Sequence, residues 1–294
     1  MVFEFVEREK GNHNVRLMCR LLGVSPSGFY ASRGRPPCLR CTEDARLKHL
    51  ITAIHVRSRG TYGRPRIKSE LEFDHDVRCG GKRVGRLMRE LRIHGAHRRR
   101  KFRTTIRDDA VAPAPDLVQR QFTATAPDQV WVADIKYVVT GEGFLYIAGV
   151  LDLFSRRLVG WGFSNTLHTK VVIDAFEMAI QRRDPQTGTV FHSDQGCQYT
   201  SLAFGRTLRE SGIAASMGSR GDCFDNAAME SFWATLECEL LNRNKYPTRD
   251  AARLAIFDYM EAWYNPWRRH STLGHISPAE FERRWNTSHA LRSL

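Results

Sequence analysis

The feature that most limits what this chain can fold into is a change of hydrophobic period near residue 129. Beyond it apolar residues alternate, first in QVWVADIKYVVT, then after the turn GEGF in LYIAGVLDLFS, then in RRLVGWGFS. A period of two is the pattern of strands, and such short breaks make hairpins, so three antiparallel strands are expected. Helical and strand periods then take turns. HTKVVIDAFEMAIQRR gathers Val172, Ala175, Phe176, Met178 and Ala179 on one helical face, and TVFHSDQG reads as a short buried strand. SLAFGRTLRESG reads as a helix closed by Gly212, IAASMG as a strand and AAMESFWATLECELL as a helix. A hairpin trio followed by alternating helix and strand predicts an α/β unit, a mixed five-stranded sheet flanked by helices.

Upstream the period is helical throughout. In NVRLMCRLLGVSPSGFYASRG, Val15, Met18, Cys19 and Leu22 recur at helical spacing, Gly23 stops the run, and Ser25-Pro26 is a cap followed by Pro at the first helical position. Residues 1–36 therefore read as a helix-turn-helix segment. A second unit, residues 42–107, contains TYGRPRIKSELE and the helix KRVGRLMREL, whose buried stripe is Val84, Leu87, Met88 and Leu91. Lys82, Arg83, Arg86 and Arg89 lie off that stripe, where a cationic helix face can enter a major groove. The tract HRRRKFR adds Arg98, Arg99, Arg100, Lys101 and Arg103, suited to phosphates rather than bases.

Charge divides the chain at the same place. Residues 1–107 carry 26 Lys+Arg against 10 Asp+Glu, an excess of 16 positive charges, whereas residues 108–294 carry 19 against 22. A front that meets a polyanion and a rear with another task are expected. The Pro- and Ala-containing residues 108–127 read as a linker, residues 128–241 as the sheet-bearing core, and residues 242–294 as a helical extension. No apolar run of about 18 residues is present, and the first residues lack a signal-peptide plan, so a cytoplasmic protein is expected. Seven cysteines, an odd number, make a disulfide framework unexpected, and Cys38 and Cys41 find no second pair to complete a zinc site.

Three acids stand where chemistry is possible. Asp134 lies in the first strand among Trp131, Val132, Ile135 and Tyr137, and Asp194 ends the fourth strand just before Gly196. Taken singly, either reads first as an aspartate satisfied by a turn or an ion pair. In GDCFDNAAMESFW, Asp222 reads as loop and Asp225 or Asn226 as the helix N-cap. Glu230 falls about one turn into that helix, at the flank of the stripe Met229, Phe232, Trp233, Leu236 and Leu240. Carboxylates from two strands and a helix suit hard divalent cations. Two such ions about 4 Å apart activate an attacking oxygen and stabilise a leaving one in phosphodiester chemistry.

WVADIKYV with Asp134, HSDQGCQYTS with Asp194 and DNAAMESFW with Glu230 resemble the three acidic motifs of the DDE transposases and retroviral-type integrases. The 35 residues between Asp194 and Glu230 match the spacing of the IS3 family of insertion sequences. MCRLLGVSPSGFY, TYGRPRI, LDLFSRRLVGW and YNPWRRHSTLGHISPAEF also resemble the second-reading-frame product of that family, so the likeness runs along nearly the whole chain. The resemblance implies an RNase H-like catalytic core and a DNA transposase that cleaves and transfers insertion-sequence ends by attack of a 3′-hydroxyl on a phosphodiester. It implies Asp134, Asp194 and Glu230 as catalytic and metal-holding residues, with Mg²⁺, or Mn²⁺ in its place, as cofactor. Its implied partners are DNA, as terminal inverted repeats and target, a second copy of the chain in a synaptic complex, and a first-frame protein or frameshift fusion. No membrane is implied, and the compartment is the bacterial cytoplasm. The alternative is a catalytically weak DNA-binding regulator that occupies the element ends.

One position departs from the family pattern. Relatives carry Lys or Arg seven residues after the glutamate, whereas this chain has Glu237, on the same face roughly 10 Å further along. A like charge there repels phosphate unless DNA runs elsewhere or a neighbour such as Arg243 or Lys245 substitutes. Asp152 is expected to form a structural salt bridge with Arg156 or Arg157 rather than hold metal. His192 and Gln195 flank Asp194 and are read as an ordinary strand-end pair or as groups that orient it. Trp263, Tyr264 and Trp267 are read first as core and second as a stacking surface for DNA.

Overall fold

The computed structural model describes residues 2–34, 36, 38–97, 124–185, 188–194, 196–217 and 227–290. Residues 108–123 of the expected linker, the basic tract from Arg98 to Arg103, Gln195, Asp222, Asp225 and Asn226 lie outside these residues.

The front is helical: α1 (Val2–Glu9), α2 (Val15–Leu21), α3 (Pro26–Gly34), α4 (Leu39–Arg57), α5 (Arg64–Phe73) and α6 (Gly81–Glu90). Asn14 caps α2 by accepting from the Arg16 and Leu17 amides, Gly23 turns the chain at φ +67, and Ser25 Oγ accepts from Gly28 N–H at 3.2 Å. Only a glycine adopts that left-handed turn without strain. Val6, Met18, Cys19 and Phe29 close a small core between α1, α2 and α3.

The rear contains β1 (Val130–Thr140), β2 (Gly143–Asp152), β3 (Leu158–Ser164), β4 (Val190–Ser193) and β5 (Ala214–Met217), ordered β3-β2-β1-β4-β5. β1, β2 and β3 pair antiparallel, whereas β4 lies parallel to β1 and β5 parallel to β4. This is the mixed five-stranded sheet expected from the periodicity, in the arrangement of an RNase H-like core. The helices are α7 (Lys170–Arg183), α8 (Leu202–Glu210), α9 (Ala227–Glu239), α10 (Arg249–Asp258) and α11 (Pro278–Ala290), with a π-helical turn, Tyr259–Tyr264, prolonging α10.

Strand parity decides which helix each residue meets. Trp131 and Ala133 of β1 face α7 and α8, in a cluster with Phe176, Phe191 and Phe204. Each fully buried ring of this kind stabilises the fold by roughly 1.5–3 kcal/mol. Gly160 and Gly162 let α7 approach, because a Cβ at either would collide with the Ala175 or Val171 carbonyl. Val132 and Val138 point the other way, into a cluster with Met229, Trp233 and Leu236 of α9. Asp134 and Lys136 share that parity, so both project toward α9.

The front does not stand apart from the rear. Leu47, Ile51, Ile67, Leu71 and Leu87 of α4, α5 and α6 join the same apolar cluster as Tyr62, Trp263 and α9. Arg57 and Arg269 together grip Glu70 and Asp74, Arg59 pairs with Asp258, and Arg269 N–H donates to Tyr62 Oη at 2.7 Å. Trp263 and Tyr264 are therefore core, as first read, while Trp267 is 57% exposed beneath the Arg57 guanidinium.

Candidate active site

β1 and β4 run side by side, and their pairing ends at Ala133 and Ser193, so each aspartate is the next residue beyond that ladder. Asp134 and Asp194 are thereby neighbours. Asp134 is half-buried, and its Oδ1 accepts from Ile135 N–H at 2.8 Å while Oδ2 accepts from the Trp233 indole N–H at 3.0 Å. Burial first, and then the charge of Asp194, push the Asp134 carboxyl up to about 7, against the pull of these two donors. Lys136 also lowers it, by less. Asp194 is exposed, and its Oδ1 accepts from Gly196 N–H at 3.0 Å, which folds the strand end back on itself.

Trp233 also explains how α9 is seated. The β2 residue opposite Asp134 is Gly149, and its missing side chain leaves a notch where Met229 Cε and Trp233 Cη2 come within 3.0 and 3.2 Å of a hypothetical Cβ. A side chain there would press on Met229 and on the Trp233 ring whose N–H holds Asp134. Glu230, between the two anchors, is exposed in the first turn of α9. Among the described residues no hydrogen bond or ion pair holds its carboxylate, and no three His, Cys, Asp or Glu side chains gather closely enough to hold a metal ion. The structure thus brings Asp134 and Asp194 together and leaves Glu230 on the adjacent helix, short of a closed triad.

Glu237, two turns beyond Glu230, pairs with Lys136 of β1 at 2.5 Å. The sequence reading treated this glutamate as a naked like charge, but strand parity delivers an ammonium from the Asp134 face. Of the two suggested substitutes, Arg243 lines the same cavity as Glu237 and donates to the Arg59 carbonyl at 3.0 Å, and Lys245 is exposed.

Several further expectations resolve here. Asp152 is structural but makes no salt bridge with Arg156 or Arg157, which corrects the sequence reading. It is fully buried, its oxygens accept from Asp128 N–H, Ser155 N–H and Ser155 Oγ–H, and burial pushes its carboxyl up to about 6. The Arg157 guanidinium goes to Glu282 instead, at 2.6 Å. His192 is buried with Nδ1 at 3.0 Å from Ser216 Oγ, an ordinary strand-end histidine. On α6, Lys82 and Arg89 are exposed, whereas Arg83 and Arg86 pair with Asp44 of α4. Contact of those two with a phosphate requires exchange of an existing partner.

Sequence reasoning missed Tyr199. Its hydroxyl is buried with no hydrogen-bond partner among the described residues, and burial, Asp134 and Asp194 all raise its pKa. It was legible only as part of HSDQGCQYTS, since an aromatic in such a stretch reads as packing.

Comparison with known proteins accords with this geometry. Family models match as an integrase core domain over residues 124–223, an HTH-like domain over residues 42–101, and a second integrase core domain model over residues 211–278. The transposase for insertion sequence element IS904 of Lactococcus lactis is 40% identical over 85% of this chain and 98% of its own length. The IS600 uncharacterized 31 kDa protein of Shigella sonnei is 40% identical over 92% and 98%, and transposase InsF for insertion sequence IS3A of Escherichia coli is 32% identical over 96% and 98%. Among solved structures, the HTLV-2 integrase catalytic core domain in complex with magnesium matches 54% of this chain and 99% of that one, at 15% identity and a TM-score of 0.42. With an integrase core behind an HTH-like domain, and relatives this similar over most of its length, the chain belongs to the insertion-sequence transposases of the IS3 family.

Proposed function

We propose that this transposase cleaves and joins the ends of its insertion sequence by divalent-metal-dependent DDE chemistry, with Asp134, Asp194 and Glu230 as the catalytic, metal-holding carboxylates. The adjacency of Asp134 and Asp194, with Asp134 tied to the Glu230 helix through Trp233, carries this reading. The donor set fits a hard cation: all its atoms are carboxylate oxygens, and burial and Asp194 push the Asp134 carboxyl up despite Lys136 nearby. When bound, two Mg²⁺ ions, or Mn²⁺, supply Lewis-acid activation and charge neutralisation for attack by water and then by a 3′-hydroxyl.

The chain's own residues hold and orient. Trp233 N–H and Ile135 N–H fix both oxygens of Asp134 so that its remaining lone pairs face the strand ends. Glu230, exposed in the first turn of α9 with no hydrogen bond or ion pair on its carboxylate among the described residues, would complete the set that holds the ions. Lys136, kept in place by Glu237, neutralises backbone charge on the Asp134 side. Exposed Lys82 and Arg89 on α6 meet DNA phosphates, together with the basic tract of Arg98, Arg99, Arg100, Lys101 and Arg103, and Arg83 and Arg86 follow by exchanging Asp44. Because two ends must be held at once, the working species is a homo-oligomer, joined by a first-frame protein or supplied as a frameshift fusion.

Purified chain incubated with labelled element-end DNA and Mg²⁺ is expected to nick specifically and to transfer the freed 3′ end. The Asp194→Asn variant is expected to bind those ends and do neither. Undiminished strand transfer by that variant overturns the assignment, and binding without nicking by the unaltered chain favours the regulator.

A further inference from the structure

Beside the first turns of α9, on the flank away from Glu237, lies a cavity of about 400 Å³. Among the residues that line it are Arg66, Arg156, Arg268, His270, Ser231 and Thr235. Among the described residues one carboxylate, Glu239, forms ion pairs with this group. Arg268 grips it twice, at 2.9 and 2.7 Å, and Arg66 stands 3.4 Å from it. Arg268 is 4% exposed, and its remaining nitrogen lies 3.3 Å from His270 Nε2. Arg156 has no ion pair among the described residues. The acid that acts on it, Asp152, already accepts from Asp128 and Ser155. His270 is kept neutral by burial and by the three arginines.

We propose that this cavity is a phosphodiester-binding pocket that holds a backbone phosphate of DNA alongside α9. Guanidinium forks match the paired oxygens of a phosphate, which two carboxylate-bound arginines and one unpaired arginine leave unmet. Ser231 and Thr235 line the same space from α9, and the opening turn of that helix, at Ala227 and Ala228, adds the positive end of its dipole. An uncompensated cation in a half-enclosed space favours an anion over water. The position suits the chemistry. A helix with its side chains is about 10–12 Å across, and DNA rises about 3.4 Å per base pair, so the pocket sits roughly three nucleotides from a phosphate beside Glu230. The inference rests on the reading that this chain acts on DNA.

The test uses the full chain in EDTA and a fluorescein-labelled random-sequence duplex, with anisotropy read over roughly 50 to 200 mM salt. Arg156→Gln is the variant of choice, because removing Arg268 leaves Glu239 buried and unpaired. Arg206→Gln, on exposed α8, removes the same charge at a site remote from the pocket. Arg156→Gln is expected to bind several-fold more weakly, with a salt slope shallower by about one, while Arg206→Gln behaves as the unaltered chain and Arg156→Lys recovers most of the affinity. Circular dichroism and the thermal midpoint establish that each variant is folded. Unchanged affinity and slope in folded Arg156→Gln overturn the proposal, as does an equal effect in Arg206→Gln. A second arm adds inorganic phosphate. If phosphate raises the midpoint of the unaltered chain but not of Arg156→Gln, while DNA binding is equal in both, the pocket serves free phosphate and the DNA assignment is wrong. Absence of DNA binding by the unaltered chain sinks the proposed function instead, because the metal-free assay needs no catalysis.

Discussion

The Asp134 carboxyl makes the unfolding equilibrium of the metal-free protein depend on pH in a calculable way. Its folded-state pKa is about 7 against an ordinary value of 3.8, because burial and Asp194 disfavour the anion. In the window between those values the native state holds a proton that the unfolded chain has released. Stability from this group is therefore full below about pH 4 and is lost as the pH rises through 7. Between pH 5 and pH 8 the loss is about two pH units of proton binding, near 2.6 kcal/mol at 1.36 kcal/mol per unit. Partial exposure and screening reduce this to about 1–2 kcal/mol. Urea unfolding in EDTA at both pH values, for the unaltered chain and Asp134→Asn, isolates the effect, since Asp152 and every other titrating group is common to both. The unaltered chain is expected to lose about 1–2 kcal/mol more than the variant across that window. Mg²⁺ is expected to restore that loss at pH 8 in the unaltered chain alone. Equal pH dependence in the two proteins refutes the claim that Asp134 is a buried carboxylate crowded by Asp194.

Two more predictions concern its neighbours. Lys136→Glu and Glu237→Lys are each expected to destabilise the fold, the first weakening DNA binding and the second strengthening it, and the double exchange to recover about 1 kcal/mol of coupling by urea unfolding. Strict additivity rules out the ion pair as the device that offsets Glu237. Tyr199→Phe is expected to stabilise by about 1 kcal/mol, because it removes a buried hydroxyl with no partner among the described residues. A loss of stability instead reveals a bond to that hydroxyl.

Much of the fold was written in local pattern. The alternation of QVWVADIKYVVT sets β1, Gly212 ends α8 with φ +69, and Ser201, whose hydroxyl accepts from Phe204 N–H, begins it. The same alternation fixes that Asp134 and Lys136 share a face. Pattern was less informative about partners. Nothing near Asp152 in sequence announces that Asp128 and Ser155, rather than an arginine, satisfy it, because a buried carboxylate takes whichever donors the turn aims at it. Arg83 and Arg86 read as a free cationic face, yet Asp44 of another helix neutralises them.

The sequence by itself determined the order of elements, the face on which each strand residue lies, and the three acids whose spacing matches the family motif. Tertiary structure alone decided what those acids meet. Trp233 reaches Asp134 across 99 positions, Lys136 answers Glu237 across the gap between sheet and helix, and α9 settles on the sheet because Gly149 leaves room for it. Backbone period is a local property of consecutive residues. The charge and solvation of a carboxylate are set by whatever folding brings within a few ångströms, and this information is not carried in the neighbouring letters.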